Sequence, residues 1–318
     1  MPDIATLRSL YETMALIRTF ESRVAELYRD GEIPGFVHTS LGQEAVAAGV
    51  CGALERSDYL TTTHRGHGHV LAKGADLNGM LAELFARASG LCRGKGGSMH
   101  VADPGVGILG ANAIVGAGIP LAVGAALSSK RQRQNRVAVA FFGEGAVNQG
   151  AFHEAVNLAA IWDLPVLFVC ENNQYAEFTA STQMTRVPRV ADRALAYGIS
   201  AVEVDGNDVA AVFDAATDAV AACRAGGGPV LMEATTYRWH GHYEGDPQGY
   251  KSGDEAEAWR LRDPLILAAQ QLQAHGVTED ELSSLVADGT RRVDEAVEFA
   301  RSSDPPAPEE AYANVFIG

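Results

Sequence analysis

The chain has 318 residues, 47% of them hydrophobic, and a mean hydropathy of −0.02, the range of a globular protein with one sizeable core or two small ones. Its net charge of −15 disfavours nucleic acid and anionic membrane surfaces as partners, and no stretch reaches the ~18 unbroken apolar residues of a membrane helix. Asp3, Arg8, Glu12, Arg18 and Glu21 exclude a secretory signal near the N-terminus. Cys51, Cys92, Cys170 and Cys223 are scattered without metal-ligand spacing and are expected as thiols in a reducing cytoplasm.

Residues 4–29 carry a helical apolar pattern closed by Gly31. Ser40-Leu41-Gly42-Gln43 reads as a capping box opening a second helix. Residues 90–120 are glycine-rich and read as one long irregular loop, a feature that is usually functional. Arg136 to Phe142 is a short apolar run ending in glycine, a strand buried on both faces. From Ala146 the spacing of Phe152, Ala155, Val156 and Ala159 predicts a helix, stopped by Asp163-Leu164-Pro165. Val166 to Cys170 is a second buried strand. Further strands are expected over 199–205 and 230–237, with a helix near 208–224 between them. Pro264 interrupts a helical C-terminal region, and Thr278-Glu279-Asp280-Glu281 caps a last helix reaching about Ser302. The pattern is that of an α/β fold with a parallel sheet. One domain over 1–318 is expected: an N-terminal helical arm (1–40), an α/β core (41–255) and a C-terminal helical extension (256–318).

A strand–helix–strand crossover is right-handed and makes the two strands parallel. Gly143-Glu144-Gly145 then follows one strand end and Asn172-Asn173 the next, with the 26 residues 146–171 between them. Ligands of open α/β sheets bind outside those ends. A carboxylate and a carboxamide there suit Mg²⁺, a hard cation that takes oxygen ligands together with substrate phosphates. The amides of Gly145 and Ala146 are expected to open a helix, whose N-terminus favours phosphate. A lone Gly-x-Gly is usually a turn and Asn-Asn a loop; the specificity comes from both at this spacing.

Nine histidines are present, and His64, His67 and His69 lie close together around Arg65. No cysteine or carboxylate backs them as a metal cluster, and Arg65 opposes a cation. The segment reads better as anion binding, because a guanidinium grips a diphosphate oxygen in a planar, bidentate way. His153 and His275 read as helix-surface residues. Lys95, between glycines, is a candidate phosphate clamp.

These motifs resemble the alpha subunits of the decarboxylating 2-oxo acid and acetoin dehydrogenase components. The match includes Phe36-Val37-His38, Gly42-Gln43-Glu44-Ala45, His64-Arg65-Gly66-His67-Gly68, Lys95-Gly96-Gly97-Ser98-Met99-His100, Ile114-Val115-Gly116-Ala117, Gly143-Glu144-Gly145, Asn172-Asn173 and Tyr237-Arg238-Trp239-His240-Gly241-His242. It runs over roughly residues 5–270.

The resemblance implies a thiamine diphosphate-binding fold of the diphosphate-binding type, with thiamine diphosphate and Mg²⁺ as cofactors. Glu144, Asn173 and the carbonyl of Tyr175 fall at the metal. Gly143, Gly145, Ala146, Arg65 and His242 fall at the cofactor, and Ala113 and Val115 at its pyrimidine. His38, His64 and His242 take the catalytic positions, with His240 in support. The implied reaction breaks a carbon–carbon bond next to a carbonyl and passes the acyl group to a lipoyl-bearing acyltransferase core. The glutamate that activates the pyrimidine is expected from a beta subunit in an α₂β₂ heterotetramer.

The chain departs from the pattern at three places. Glu144 stands where the acid is usually Asp, and His64 where the pyruvate enzymes commonly have Tyr. Tyr243-Glu244-Gly245-Asp246-Pro247 lacks the serines phosphorylated in mitochondrial enzymes. Acetoin and pyruvate or a related 2-oxo acid both remain open as substrate. A split transketolase-like enzyme and a non-catalytic assembly subunit are the alternatives.

Overall fold

The computed structural model describes residues 2–315. The first helix, α1, covers Ile4–Arg29 and is capped by Asp3, whose carboxylate accepts the Thr6 N–H. It packs on α2 (Glu44–Gly52) and on two C-terminal helices, α10 (Pro264–Ala274) and α11 (Glu279–Ser302). Arg18 joins these elements: its guanidinium pairs with Glu44 and Asp263 and stacks on the Trp239 ring. The residues expected as an arm and an extension therefore bury apolar surface against the core.

Six strands form one parallel sheet: β1 (Tyr59–Thr63), β2 (Ile108–Asn112), β3 (Ala138–Gly143), β4 (Val166–Asn172), β7 (Ser200–Asp205) and β8 (Val230–Thr235). Their order across the sheet is β2-β1-β3-β4-β8-β7. Two short strands, β5 (Tyr175–Ala176) and β6 (Thr179–Ala180), make a separate hairpin beyond β4. In β3 and β4 every residue but Gly143 is buried, and successive side chains enter opposite cores. Val139, Phe141, Leu167 and Val169 join one cluster, shared with α2 and α8 (Val209–Arg224). Ala138, Ala140, Phe142, Val166, Phe168 and Cys170 join the other, under α5 (Gly118–Arg131) and α6 (Gly150–Ile161). Burial on both faces is why these strands read as unbroken apolar runs. The remaining helices are α3 (His67–Ala72), α4 (Leu77–Leu84), α7 (Ser181–Met184) and α9 (Gly253–Arg260).

Three sequence expectations change. Ser40 does not cap α2: its N–H and hydroxyl both donate to Glu21 at 2.8 Å, and the N-cap position is Gln43, with no side-chain capping bond. A buried carboxylate brought in by α1 outcompetes the local cap. The helix expected from Ala146 begins instead at Gly150, after a 3₁₀ turn over Glu144–Asn148. The segment 90–120 is not one loop: it holds a 3₁₀ turn at Pro104–Val106 and the edge strand β2. The capping box at Thr278 and Glu281 is present, and Pro264 takes the first position of α10, where its missing N–H costs nothing. Among the described residues no helix is long and apolar enough to cross a membrane.

Candidate active site

The C-terminal ends of β1, β2, β3, β4 and β8 converge on one cleft of about 380 Å³. The chain moves to one side of β1 to form β2 and to the other side to form β3, so the cleft lies at the switch point of the sheet. Parallel register places the motifs side by side: Gly143 pairs with Glu171, and Asn172 with Thr235. Glu144 and Asn173 thus leave adjacent strands at the same level.

Glu144 is buried, and its Oε2 accepts the Asn173 N–H at 3.3 Å. Its Oε1 is buried with no hydrogen-bond partner. Burial pushes this carboxyl up to about 7. An acid desolvated and half-unpaired in this way has the chemistry of a cation ligand awaiting its ion. Asn173 turns its amide nitrogen toward Gln43 Oε1 at 3.1 Å, and its Oδ1 accepts the Tyr175 N–H at 3.3 Å. Asn172 faces away and donates to Glu233 at 2.8 Å, so only the second asparagine of the pair serves the cleft. The Tyr175 carbonyl lies 3.5 Å from Arg238 Nη1. These donors fit a Mg²⁺ bound to a diphosphate. The amides of Gly145 and Ala146 head the 3₁₀ turn rather than an α-helix, which narrows the dipole contribution to one tight turn. Gly145 is required by packing, because a Cβ there would meet the Ala176 Cβ at 2.7 Å.

His38, His64 and His242 come from three separate segments and close on one another. Their ring centroids are 4.7 Å (His38–His64), 5.1 Å (His38–His242) and 5.4 Å (His64–His242) apart. Burial, then the charge of Arg65, lowers all three: His38 to about 3, His64 to about 2, His242 to about 4. All three imidazoles are therefore neutral at pH 7. The Nδ1 atoms of His38 and His242 are buried and unpartnered.

Arg65 is buried, and its guanidinium donates to the Thr39 carbonyl and to the His242 carbonyl at 2.8 Å. It thereby binds the His38 and His242 segments together, and two of its five N–H donors are committed. Burial, then Arg238, lowers it to about 9, still charged at neutral pH. Arg238, part of the Tyr237–His242 motif, lies on the same cleft wall. It donates to Glu177 O and Tyr250 Oη, both at 2.8 Å. Gln43 and Met99, which the matched motifs contain without a role, and Glu171, which no motif names, also line or support the cleft. Ala113 is half-buried in the cleft wall, whereas Ile114 and Val115 are 71% and 49% exposed at its mouth.

Two other histidines of the 64–69 segment point elsewhere. His67 is held by Glu21 and Ser98, and His69 by Thr62 and Glu171. His240 supports the loop by bonding Glu244 at 2.8 Å. Lys95 is not at the cleft: it donates to Ala313 O at 3.1 Å and pairs with Glu310. His153 and His275 lie at the surface as expected.

A family model described as dehydrogenase E1 component matches residues 12–309. The chain belongs to this family. As a dehydrogenase E1 chain it is part of a thiamine diphosphate-dependent oxidoreductase. It is 47% identical over 308 residues to the alpha subunit of acetoin:2,6-dichlorophenolindophenol oxidoreductase of Bacillus subtilis, covering 97% of this chain and 92% of that one. The corresponding subunit of Cupriavidus necator is 43% identical over 317 residues, with 99% and 95% covered. The pyruvate dehydrogenase E1 component subunit alpha of Zymomonas mobilis is also 43% identical, over 318 residues, with 99% and 90% covered. Relatives at this level of identity are thus named for two different substrates.

Proposed function

We propose that this chain is the alpha subunit of an E1 enzyme that cleaves the carbon–carbon bond of an uncharged, acetoin-type hydroxyketone and passes the acyl group to a lipoyl carrier on a separate core protein. The observation that carries this reading is the trio of neutral imidazoles facing one space beside Glu144. Neutral rings hydrogen-bond a hydroxyl and a carbonyl but give no charge to a carboxylate. The two relatives named for acetoin agree with it.

When bound, thiamine diphosphate supplies the electron sink that lets a bond next to a carbonyl break. Glu144, Asn173 and the Tyr175 carbonyl would hold its Mg²⁺. The amides of Gly143, Gly145 and Ala146 and the remaining Arg65 donors would hold the diphosphate. Ala113 and Val115 would bear on the pyrimidine. His38 and His242 offer their free Nδ1 atoms to a substrate hydroxyl, and His64 packs edge-on to both rings, fixing their orientation. Arg65 supports the trio by clamping two of its three segments.

The apolar mouth at Ile114 and Val115, with Leu121 also exposed on α5, favours a partner chain on this face. On this reading the partner is a beta subunit, the assembly is α₂β₂, the location is the cytoplasm, and residues 1–318 act as one binding domain. A 2-oxo acid is the second reading, favoured by the charged Arg65 beside the trio.

The test is dye reduction by the reconstituted αβ enzyme with thiamine diphosphate and Mg²⁺, comparing acetoin, pyruvate and a branched 2-oxo acid. Turnover led by acetoin supports the proposal; turnover led by an oxo acid moves it to the second reading. Absence of any cofactor-binding heat with the partner present would instead indicate a non-catalytic subunit.

A further inference from the structure

Glu83, near the end of α4, has a fully buried side chain that does not reach the cleft. Its carboxylate accepts four backbone N–H bonds from a single loop. Oε2 takes those of Cys92 at 2.7 Å and Gly94 at 2.9 Å; Oε1 takes those of Gly96 at 2.7 Å and Gly97 at 3.0 Å. Successive amides converging on one anion make a nest, and here the anion is a side chain of the same protein. The glycines follow from that geometry. A Cβ on Gly90 would meet Glu83 Oε2 at 2.4 Å, and one on Gly96 would meet the His100 carbonyl oxygen at 2.5 Å. Gly94 holds φ +73° against the Ala86 backbone.

The far end of the loop reaches the histidine pocket. Ser98 Oγ lies 2.8 Å from His67 Nε2, and His67 Nδ1 lies 2.9 Å from Glu21 Oε2. Glu21 in turn holds Ser40, two residues from His38. His67 begins α3, three residues after His64. Met99, next to Ser98, lines the cleft itself. Polar contacts, joined by short stretches of chain at Gly97–Ser98 and His64–His67, therefore connect Glu83 to the segments carrying His38 and His64.

We infer that Glu83 is a positioning residue for the reaction proposed above: it shapes the Cys92–His100 loop so that Ser98 holds His67, and through His67 the turn that carries His64 and Arg65. Only the kinetic part of the test rests on the proposed activity.

Glu83→Gln keeps the volume but replaces one acceptor by an N–H₂ group. Whichever way that amide turns, one pair of loop N–H groups then meets a donor. In the αβ holoenzyme, Glu83→Gln is expected to lower kcat roughly ten- to a hundredfold with KM changed less than about threefold. Ser98→Ala is expected to lower kcat less, and the double variant to be no slower than Glu83→Gln alone, because both act through one contact. Hydrogen exchange at the amides of Cys92, Gly94, Gly96 and Gly97 should quicken roughly tenfold or more, with β3 and β4 unchanged. Exchange needs no turnover, so it separates a wrong positioning role from a wrong reaction. Unchanged exchange, or kcat losses that multiply in the double variant, overturns the inference. Should Glu83→Gln not fold, Gly96→Ala displaces the same loop without touching Glu83; normal kcat in that variant overturns it equally.

Discussion

The backbone N–H of Asn173 donates to Glu144 Oε2 at 3.3 Å, while Glu144 Oε1 stays buried and unpaired. One oxygen of this carboxylate is therefore fixed by the neighbouring strand end, and the other is the one proposed to meet a cation. If ligation is its role, Glu144→Asp retains Mg²⁺-dependent thiamine diphosphate binding within roughly tenfold, whereas Glu144→Ala weakens it by roughly a hundredfold or more. Calorimetry of the cofactor with and without Mg²⁺ reads both. Equal losses in the two variants would argue against ligation.

The same side chains set a pH dependence for the ligand-free chain. Each imidazole of the trio has a folded pKa below its ordinary 6.5, so its contribution is present above pH 6.5 and is lost as pH falls through the folded pKa, about 4 for His242, about 3 for His38 and about 2 for His64. Glu144 has the opposite sign. Its folded pKa of about 7 lies above the ordinary 4.5, so its contribution is complete below 4.5 and is lost as pH rises to 7. Between 4.5 and 6.5 three protons oppose one, and stability should rise with pH. Thermal melts from pH 4.5 to 7 check this. His242→Asn should flatten the slope and Glu144→Gln should steepen it; a slope of opposite sign would contradict the neutral trio.

His64 packs edge-on to the two rings proposed to bind the substrate hydroxyl, so a change there tests substrate choice. His64→Tyr puts a larger ring and a phenol against His38 and His242. The ratio of kcat/KM for acetoin to that for pyruvate should fall by roughly tenfold or more, since contacts to a hydroxyl discriminate strongly when buried. An unchanged ratio, measured in the same dye assay, would remove His64 from substrate selection.

Ile114 and Val115, exposed at the cleft mouth, and Leu121, exposed on α5, predict dependence on a partner. The chain alone should show no turnover, and activity should appear on titration with the beta subunit and saturate at equimolar ratio. Leu121→Arg should weaken that titration by roughly tenfold or more while leaving the melting temperature of the chain within a few degrees. Full activity of the isolated chain would refute a shared site.

Some of this could be read directly from the chain. β3, α6 and β4 are written in continuous apolar runs and a helical stripe, because a strand buried on both faces has no polar alternation to hide it. Their parallel pairing then follows, and with it the meeting of Glu144 and Asn173. β2 was not legible: Ile108 to Asn112 is a short edge strand with a glycine in it, inside a glycine-rich stretch. The local pattern at Ser40 suggests a cap because its actual partner, Glu21, lies on a helix nineteen residues earlier. Lys95 looked like a phosphate clamp from its glycine neighbours, yet its partners, Glu310 and the Ala313 carbonyl, come from the other end of the chain.

By itself, the order of residues determined four strands of the sheet, β3, β4, β7 and β8, the crossover, and the meeting of Glu144 with Asn173, since each depends on local periodicity and on spacing along the chain. Only the tertiary structure decided that His38, His64 and His242 share one space, that Arg65 clamps their backbone, and that Glu83 holds the glycine loop. The histidine and Arg65 contacts join residues tens to hundreds of positions apart, and Glu83 reaches amides 9 to 14 positions further on. They exist because packing removes these groups from water and leaves them one another as partners, which no local pattern encodes.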